Sequence, residues 1–141
     1  VRDAIERLLR RVRHPIESRT WVPDEIAAIR RALRAAVTKP RVDAVILTGG
    51  TGIAPRDRTP EALAPLFERE LPGFGEAFRS LSFAQVGSAA WLSRALAGVV
   101  RGRLVVALPG SPKAVTLALT RLLIPELGHV VRLLDRRREG A

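Results

Sequence analysis

The chain contains no cysteine, no methionine and no tyrosine, and its only histidines are His14 and His129. Without cysteine, disulfides and thiolate metal sites are excluded, and two histidines so far apart in sequence make no ligand motif. A metal would have to be held by carboxylates or by the phosphates of a ligand. Four Phe and two Trp offer little for base stacking, and no nucleic-acid motif accompanies them, so a nucleic-acid partner is not expected. No apolar run approaches the roughly 20 residues of a membrane-spanning helix, and no charged start leads into an apolar run as in a signal peptide. The expectation is a soluble, cytoplasmic protein with no membrane partner. With no methionine, and with a start inside a helical pattern, the chain is expected to lack an N-terminal part.

What is present suits one globular domain over residues 1–141, since 47% hydrophobic content is ample for a core of that size. Net charge is +10, from 24 Lys and Arg against 14 Asp and Glu. Only Lys39 and Lys113 are lysines; the rest are arginines spread along helices, as at Arg30, Arg31 and Arg34. Such a balance favours an anionic partner or describes a solvated basic surface, and charge alone does not choose.

Periodicity gives the elements. Val1, Ile5, Leu8, Leu9 and Val12 have helical spacing, which Pro15 ends. Ile16 to Val22 alternates and is β-rich, predicting an edge strand. Pro23-Asp24-Glu25 reads as the first turn of a helix through Ile26, Ile29, Leu33 and Val37. Val42 to Leu47 is a buried strand, and strand, helix and strand in succession imply a right-handed parallel crossover. Thr59-Pro60-Glu61 opens the next helix, Leu71-Pro72-Gly73 interrupts it, and a further helical segment runs from Phe74 to Phe83. Ala89 to Leu96 reads as a short helix, Gly98 to Gly102 as a brief strand and turn, and Arg103 to Leu108 as a clear strand. The last helix passes Ala114, Leu117, Leu119 and Leu122; Pro125 kinks or ends it, and Arg136 to Ala141 is expected to fray.

Two loops leave apolar strands and run into helices, the place where open parallel sheets bind ligands, and they should meet at one edge. In Thr48-Gly49-Gly50-Thr51-Gly52 no Cβ shields the glycine N–H groups, so an anion can approach the main chain closely. In Pro109-Gly110-Ser111-Pro112-Lys113, Ser111 is placed to cap a helix whose first residue is Pro112, and Lys113 adds a point charge. Either loop alone reads equally well as a tight turn. No Gly-Lys-Ser/Thr follows the glycines and no Gly-x-Gly-x-x-Gly occurs, so general nucleotide-fold readings lack support.

Asp57 lies between Arg56 and Arg58 in a proline-stiffened stretch. Two readings stand: a helix cap or ion-pair partner, or a ligand for Mg²⁺ bridging phosphates. Asp24 is explained by helix-dipole complementarity as well as by a role in a site.

The ordered series VPDE (22–25), LTGGTG (47–52), APRDRTPE (54–61), ELPGF (70–74) and LPGSPKA (108–114) resembles the MoaB/Mog family of molybdenum cofactor biosynthesis proteins, to which the gephyrin G domain is related. The likeness runs from the first helix to Leu134; the family's first strand and the Ser/Thr-Asp loop after it are not in this sequence. The resemblance implies a three-layer α/β/α molybdopterin-binding fold with a mostly parallel sheet, assembled as a homo-oligomer, trimer or hexamer. It further implies molybdopterin as ligand or substrate and, in adenylyltransferase members, transfer of AMP from Mg²⁺-ATP to the molybdopterin phosphate with release of pyrophosphate. Asp24 and Asp57 match the family's important acidic positions, as catalytic residues, with Asp57 the Mg²⁺ ligand. Thr48, Gly49, Gly50, Thr51, Gly52, Pro109, Gly110, Ser111, Pro112 and Lys113 would bind the ligand. The alternative within the family is a molybdopterin-binding or scaffold protein without turnover. Phe74, Phe78, Phe83 and Trp91 would supply either a contact surface for assembly or ordinary core.

Overall fold

Strand β4 (Arg103–Leu108) is buried at every residue, and the rest of the chain is arranged about it in a computed structural model that describes residues 1–135. Residues 136–141, the segment expected to fray, lie outside the described residues. The order of elements is α1 (Arg2–Arg11), α2 (Ile26–Ala36), β1 (Ala44–Thr48), α3 (Thr59–Leu63), β2 (Arg69–Glu70), α4 (Pro72–Val86), β3 (Leu96–Val100), β4, α5 (Pro112–Ala118) and α6 (Ile124–Leu133). The strands form one sheet in the order β1-β4-β3-β2.

Side chains along β4 alternate between two cores, as the two-residue period of a strand requires. Leu104, Val106 and Leu108 join Phe78, Leu117, Leu123 and Leu127 on one face, with α1, α4, α5 and α6. Val105 and Ala107 join Ile29, Leu33 and Leu63 on the other, with α2 and α3. The result is the three-layer α/β/α arrangement of the α/β class.

The sheet is mixed, a correction to the mostly parallel one expected. β1 pairs parallel with β4, while β3 with β4 and β2 with β3 are antiparallel. The antiparallel step comes from the two-residue turn Arg101-Gly102, whose φ angles of 50° and 73° are both positive. That is the turn whose twist matches a tight hairpin, and Gly102 adopts it without steric cost.

Other expectations change as well: the helix opened by Thr59 gives way after Leu66, and strand β2 lies between it and Leu71-Pro72-Gly73. Residues 16–22 form no strand: Glu17 to Trp21 are all exposed, and only Ile16 and Val22 are partly buried. The predicted crossover into β1 therefore has no first strand among the described residues. Helix α2 begins at Ile26 with Glu25 as its N-cap, because Glu25 N–H turns back to the Pro23 carbonyl at 2.7 Å and leaves Asp24 in a bend before the helix. Ala89 to Leu96 is divided between a 3₁₀ turn (Gly87–Leu92) and the start of β3.

Pro125 does not end the last helix. A π-helical turn (Leu119–Leu123) sits just before it and joins α5 to α6 in a continuous helix, Pro112–Leu133, of 22 residues. A wider turn of this kind accommodates the missing N–H and the ring of a proline. This helix is long and apolar enough by composition to cross a membrane, contrary to the expectation that no such stretch exists. Its apolar side, with Val115, Ala118 and Leu119 fully buried, packs on β4 as a core helix.

Candidate functional site

The parallel pairing of β1 with β4 places Thr48 opposite Leu108, so the two glycine-bearing loops leave the sheet side by side. They meet as the sequence anticipates. Gly49 N–H donates to the Leu108 carbonyl at 2.8 Å, and a Cβ on Gly110 would lie 3.5 Å from the Gly49 Cα.

The first loop is fastened from below by α3. Thr59, 4% exposed, donates through Oγ1 to the Gly49 carbonyl (3.0 Å) and through its N–H to the Gly50 carbonyl (3.1 Å). Gly50, at φ +71°, has Thr59 Oγ1 only 2.3 Å from where a Cβ would stand. Further along, Asp57 closes a turn on itself: its N–H donates to the Ala54 carbonyl (2.8 Å), and Ala54 N–H donates to Asp57 Oδ2 (2.9 Å). Among the described residues neither Arg56 nor Arg58 pairs with Asp57, and its second oxygen, Oδ1, accepts no hydrogen bond.

Arg94 is the residue that sequence reasoning misses. Its N–H donates to the Thr51 carbonyl (2.8 Å), its Nε to the Gly52 carbonyl (2.7 Å) and its Nη2 to the Asp57 carbonyl (2.9 Å), while Nη1 pairs with the Glu61 carboxylate. The hydrogen bond from Arg94 holds the Glu61 carboxyl below the usual glutamate range, against the opposing pull of desolvation. A depressed carboxylate pKa stabilises the fold above the unfolded value, and that contribution is lost as pH falls through the lowered one.

With its carbonyls drawn inward, the loop beyond Gly49 leaves its N–H groups without a protein acceptor among the described residues. Among the described residues, the backbone N–H groups of Gly50, Thr51, Gly52 and Ile53 donate to no protein acceptor, and neither do those of Gly110 and Ser111. In the second loop Ser111 caps the helix as expected, its Oγ accepting from Ala114 N–H at 3.2 Å, with Pro112 in the first turn. Lys113 is exposed beside it, at the head of a shallow groove lined by Gln85, Thr116, Leu117, Thr120 and Arg121. A row of unpartnered amides at the start of a 22-residue helix, with one lysine, is a setting for phosphate.

The structure unites Thr48 through Gly52 with Pro109 through Lys113 and sets Asp57 at the end of the first loop. It does not tie Asp24 to them: among the described residues no hydrogen bond or ion pair links Asp24 to either loop. No group of three or more His, Cys, Asp or Glu able to hold a metal occurs among the described residues. Asp57 with its open oxygen fits Mg²⁺ only as a single protein ligand beside phosphates and water, an arrangement this ion accepts. The aromatic residues divide: Phe78 is core, with Phe74 stacked on it at 6.1 Å, whereas Phe83 and Trp91 are 59% and 74% exposed.

Residues 2–129 match the family model described as "Probable molybdopterin binding domain". The chain is 53% identical over 120 residues to molybdenum cofactor biosynthesis protein B of Bacillus subtilis strain 168, covering 84% of this chain and 71% of that protein. Its fold matches a crystal structure of a molybdenum cofactor biosynthesis protein B with TM-score 0.92 and 41% identity, over 95% of this chain and 84% of the other. It also matches the molybdopterin biosynthesis enzyme MoaB of Thermus thermophilus with TM-score 0.79 and 38% identity, over 94% of this chain and 82% of that one.

Proposed function

This chain belongs to the MoaB/Mog family of molybdopterin-binding domains and so to molybdenum cofactor biosynthesis, and we propose that it binds molybdopterin across its two loops and adenylylates it. The observation that carries this reading is the set of uncommitted N–H groups at Gly50 to Ile53 and at Gly110 and Ser111, brought together at one sheet edge.

In the proposed reaction the terminal phosphate oxygen of molybdopterin forms a bond to the α-phosphorus of ATP. The bond from that phosphorus to the bridging oxygen breaks, and pyrophosphate leaves. No side-chain nucleophile is needed, in keeping with the absence of cysteine. Two anions must approach each other, so fixed positive dipoles are what the site has to supply. The Gly50 to Gly52 amides and the Gly110 and Ser111 amides receive phosphate oxygens, and Lys113 adds full charge. Mg²⁺ would neutralise the nucleotide phosphates. Asp57 Oδ1 is the oxygen that would hold or orient that ion, and Asp24 would hydrogen-bond the pterin. In the same reading the protein assembles as a trimer or hexamer in the cytoplasm, with exposed Phe83 and Trp91 among the contacts. A carrier or scaffold without turnover is the second reading, favoured by the absence of any acidic cluster beside Asp57 among the described residues.

Titration with molybdopterin tests the binding step. Lys113→Ala, on an exposed position that leaves the fold intact, is expected to raise Kd by about tenfold, the worth of one charge-assisted contact. Equal affinities would remove Lys113 from the site, and failure of the unaltered protein to bind would remove the reading itself.

A further inference from the structure

We infer that Arg94 is the positioning residue of this site, a clamp that fixes the first loop in its anion-receiving shape without touching the ligand. The inference rests on the proposed molybdopterin-binding function and adds the device that prepares it. Arg94 reaches Gly52 and Asp57 from 42 and 37 residues away in sequence, and its guanidinium and main chain take the carbonyls of Thr51, Gly52 and Asp57 together. A peptide group is planar and trans, so its N–H points opposite to its C=O. Holding the Thr51 and Gly52 carbonyls toward Arg94 therefore aims the N–H groups of Gly52 and Ile53 away from it, and these are among the donors left without a protein partner.

The arginine is largely committed in doing this. Nε, Nη1 and Nη2 each have an acceptor within the protein, so three of the five N–H groups of the guanidinium are engaged in holding the loop and Glu61. Glu61, on α3, fixes the far end of the guanidinium, and Arg30 of α2 in turn donates to the Glu61 and Ala62 carbonyls at 3.1 and 3.0 Å. The planar fork of arginine satisfies several acceptors at once, which the point charge of lysine cannot. Amides prepared in advance bind an anion without first ordering a glycine loop, and that ordering is otherwise a cost of binding.

Arg94→Ala and Arg94→Lys, with Glu61→Gln as a milder variant, test the clamp by two measurements. One is the Kd for molybdopterin of the folded protein; the other is amide exchange at Ala54 and Asp57, whose N–H bonds close the loop, against Val105 and Val106 in β4. Arg94→Ala is expected to raise Kd by roughly tenfold or more and to expose Ala54 and Asp57 while the β4 amides stay protected. Arg94→Lys should recover only part of both, and Glu61→Gln should lose least. A folded Arg94→Lys or Arg94→Ala protein with unchanged Kd and unchanged exchange overturns the inference; should Arg94→Ala not fold, Arg94→Lys decides. If the unaltered protein does not take molybdopterin, the functional reading falls by itself. The exchange pattern then decides the clamp, with loss confined to the loop keeping it and no loss ending it.

Discussion

Gly50→Ala is expected to destabilise the protein by about 2–5 kcal/mol and to abolish measurable molybdopterin binding. At φ +71° an L-residue pays about 1–2 kcal/mol for the left-handed conformation alone. The added methyl would meet Thr59 Oγ1 at 2.3 Å. Thr59 cannot easily withdraw, because it is buried at the start of α3 and both its donors are engaged with the loop. Overpacking of a tight site costs about 1–3 kcal/mol more. Relief would require the Gly49 and Gly50 carbonyls to move, and with them the amides proposed to receive phosphate. Gly73→Ala is the control: a Cβ there meets nothing within 4 Å and the residue lies in the first turn of α4, so little change is expected. Urea unfolding of both variants makes the comparison, and a Gly50→Ala protein as stable as the control would contradict this picture of the loop.

The second large effect lies at the opposite end of β4. Arg103, 8% exposed, donates to the carbonyls of Val42 (3.1 Å), Arg101 (2.9 Å) and Lys39 (3.0 Å). It thereby joins the turn before β1 to the hairpin turn before β4. Hydrogen bonds to a charged group are worth about 1.5–3 kcal/mol each, and bonds sharing one guanidinium do not add, so Arg103→Leu is expected to cost about 3 kcal/mol. Leucine keeps the apolar volume and removes all three donations, the one to buried Val42 included, while the Lys39 carbonyl keeps the Val42 N–H. The exposed neighbour Arg41, replaced by Ala, should change the unfolding midpoint little. Molybdopterin affinity of the folded Arg103→Leu protein should persist, since both loops lie beyond the other end of the strand. Loss of affinity without loss of stability would show that the two ends of the sheet are coupled.

Local chemistry made the loops legible in the sequence. Ser111 followed by Pro112 is a helix start that needs no tertiary help, and an apolar strand breaking into Gly49-Gly50 marks a turn at positive φ, which glycine adopts without strain. The longest-range parts were hidden. Arg94 sits in no motif, and its partners are set by the fold that brings the segment before β3 beside α3 and the first loop. The stretch from Ile16 to Val22 has the alternation of a strand, yet it finds no partner strand, because pairing is a property of the sheet and not of the segment. Pro125 reads as kinking or ending its helix; the helix continues through it by way of a π turn, and the choice between the two rests on packing over β4. The antiparallel hairpin did have a signal, the Gly after Arg101, but one glycine in a short turn is weak evidence until its φ is known. Asp24 fits the motif VPDE and is exposed in a bend, and its role rests on the proposed function alone.

The decisive measurement is the single-turnover reaction of the protein with molybdopterin and Mg²⁺-ATP, compared with that of Asp57→Asn. Asn keeps the size of the side chain and the acceptor for Ala54 N–H while removing the charge. Adenylylated molybdopterin and pyrophosphate are expected from the unaltered protein, with a loss of about 100-fold or more in rate for Asp57→Asn at intact molybdopterin affinity. Tight molybdopterin binding with no adenylylated product from the unaltered protein would contradict the proposed reaction and leave a carrier in place of an enzyme.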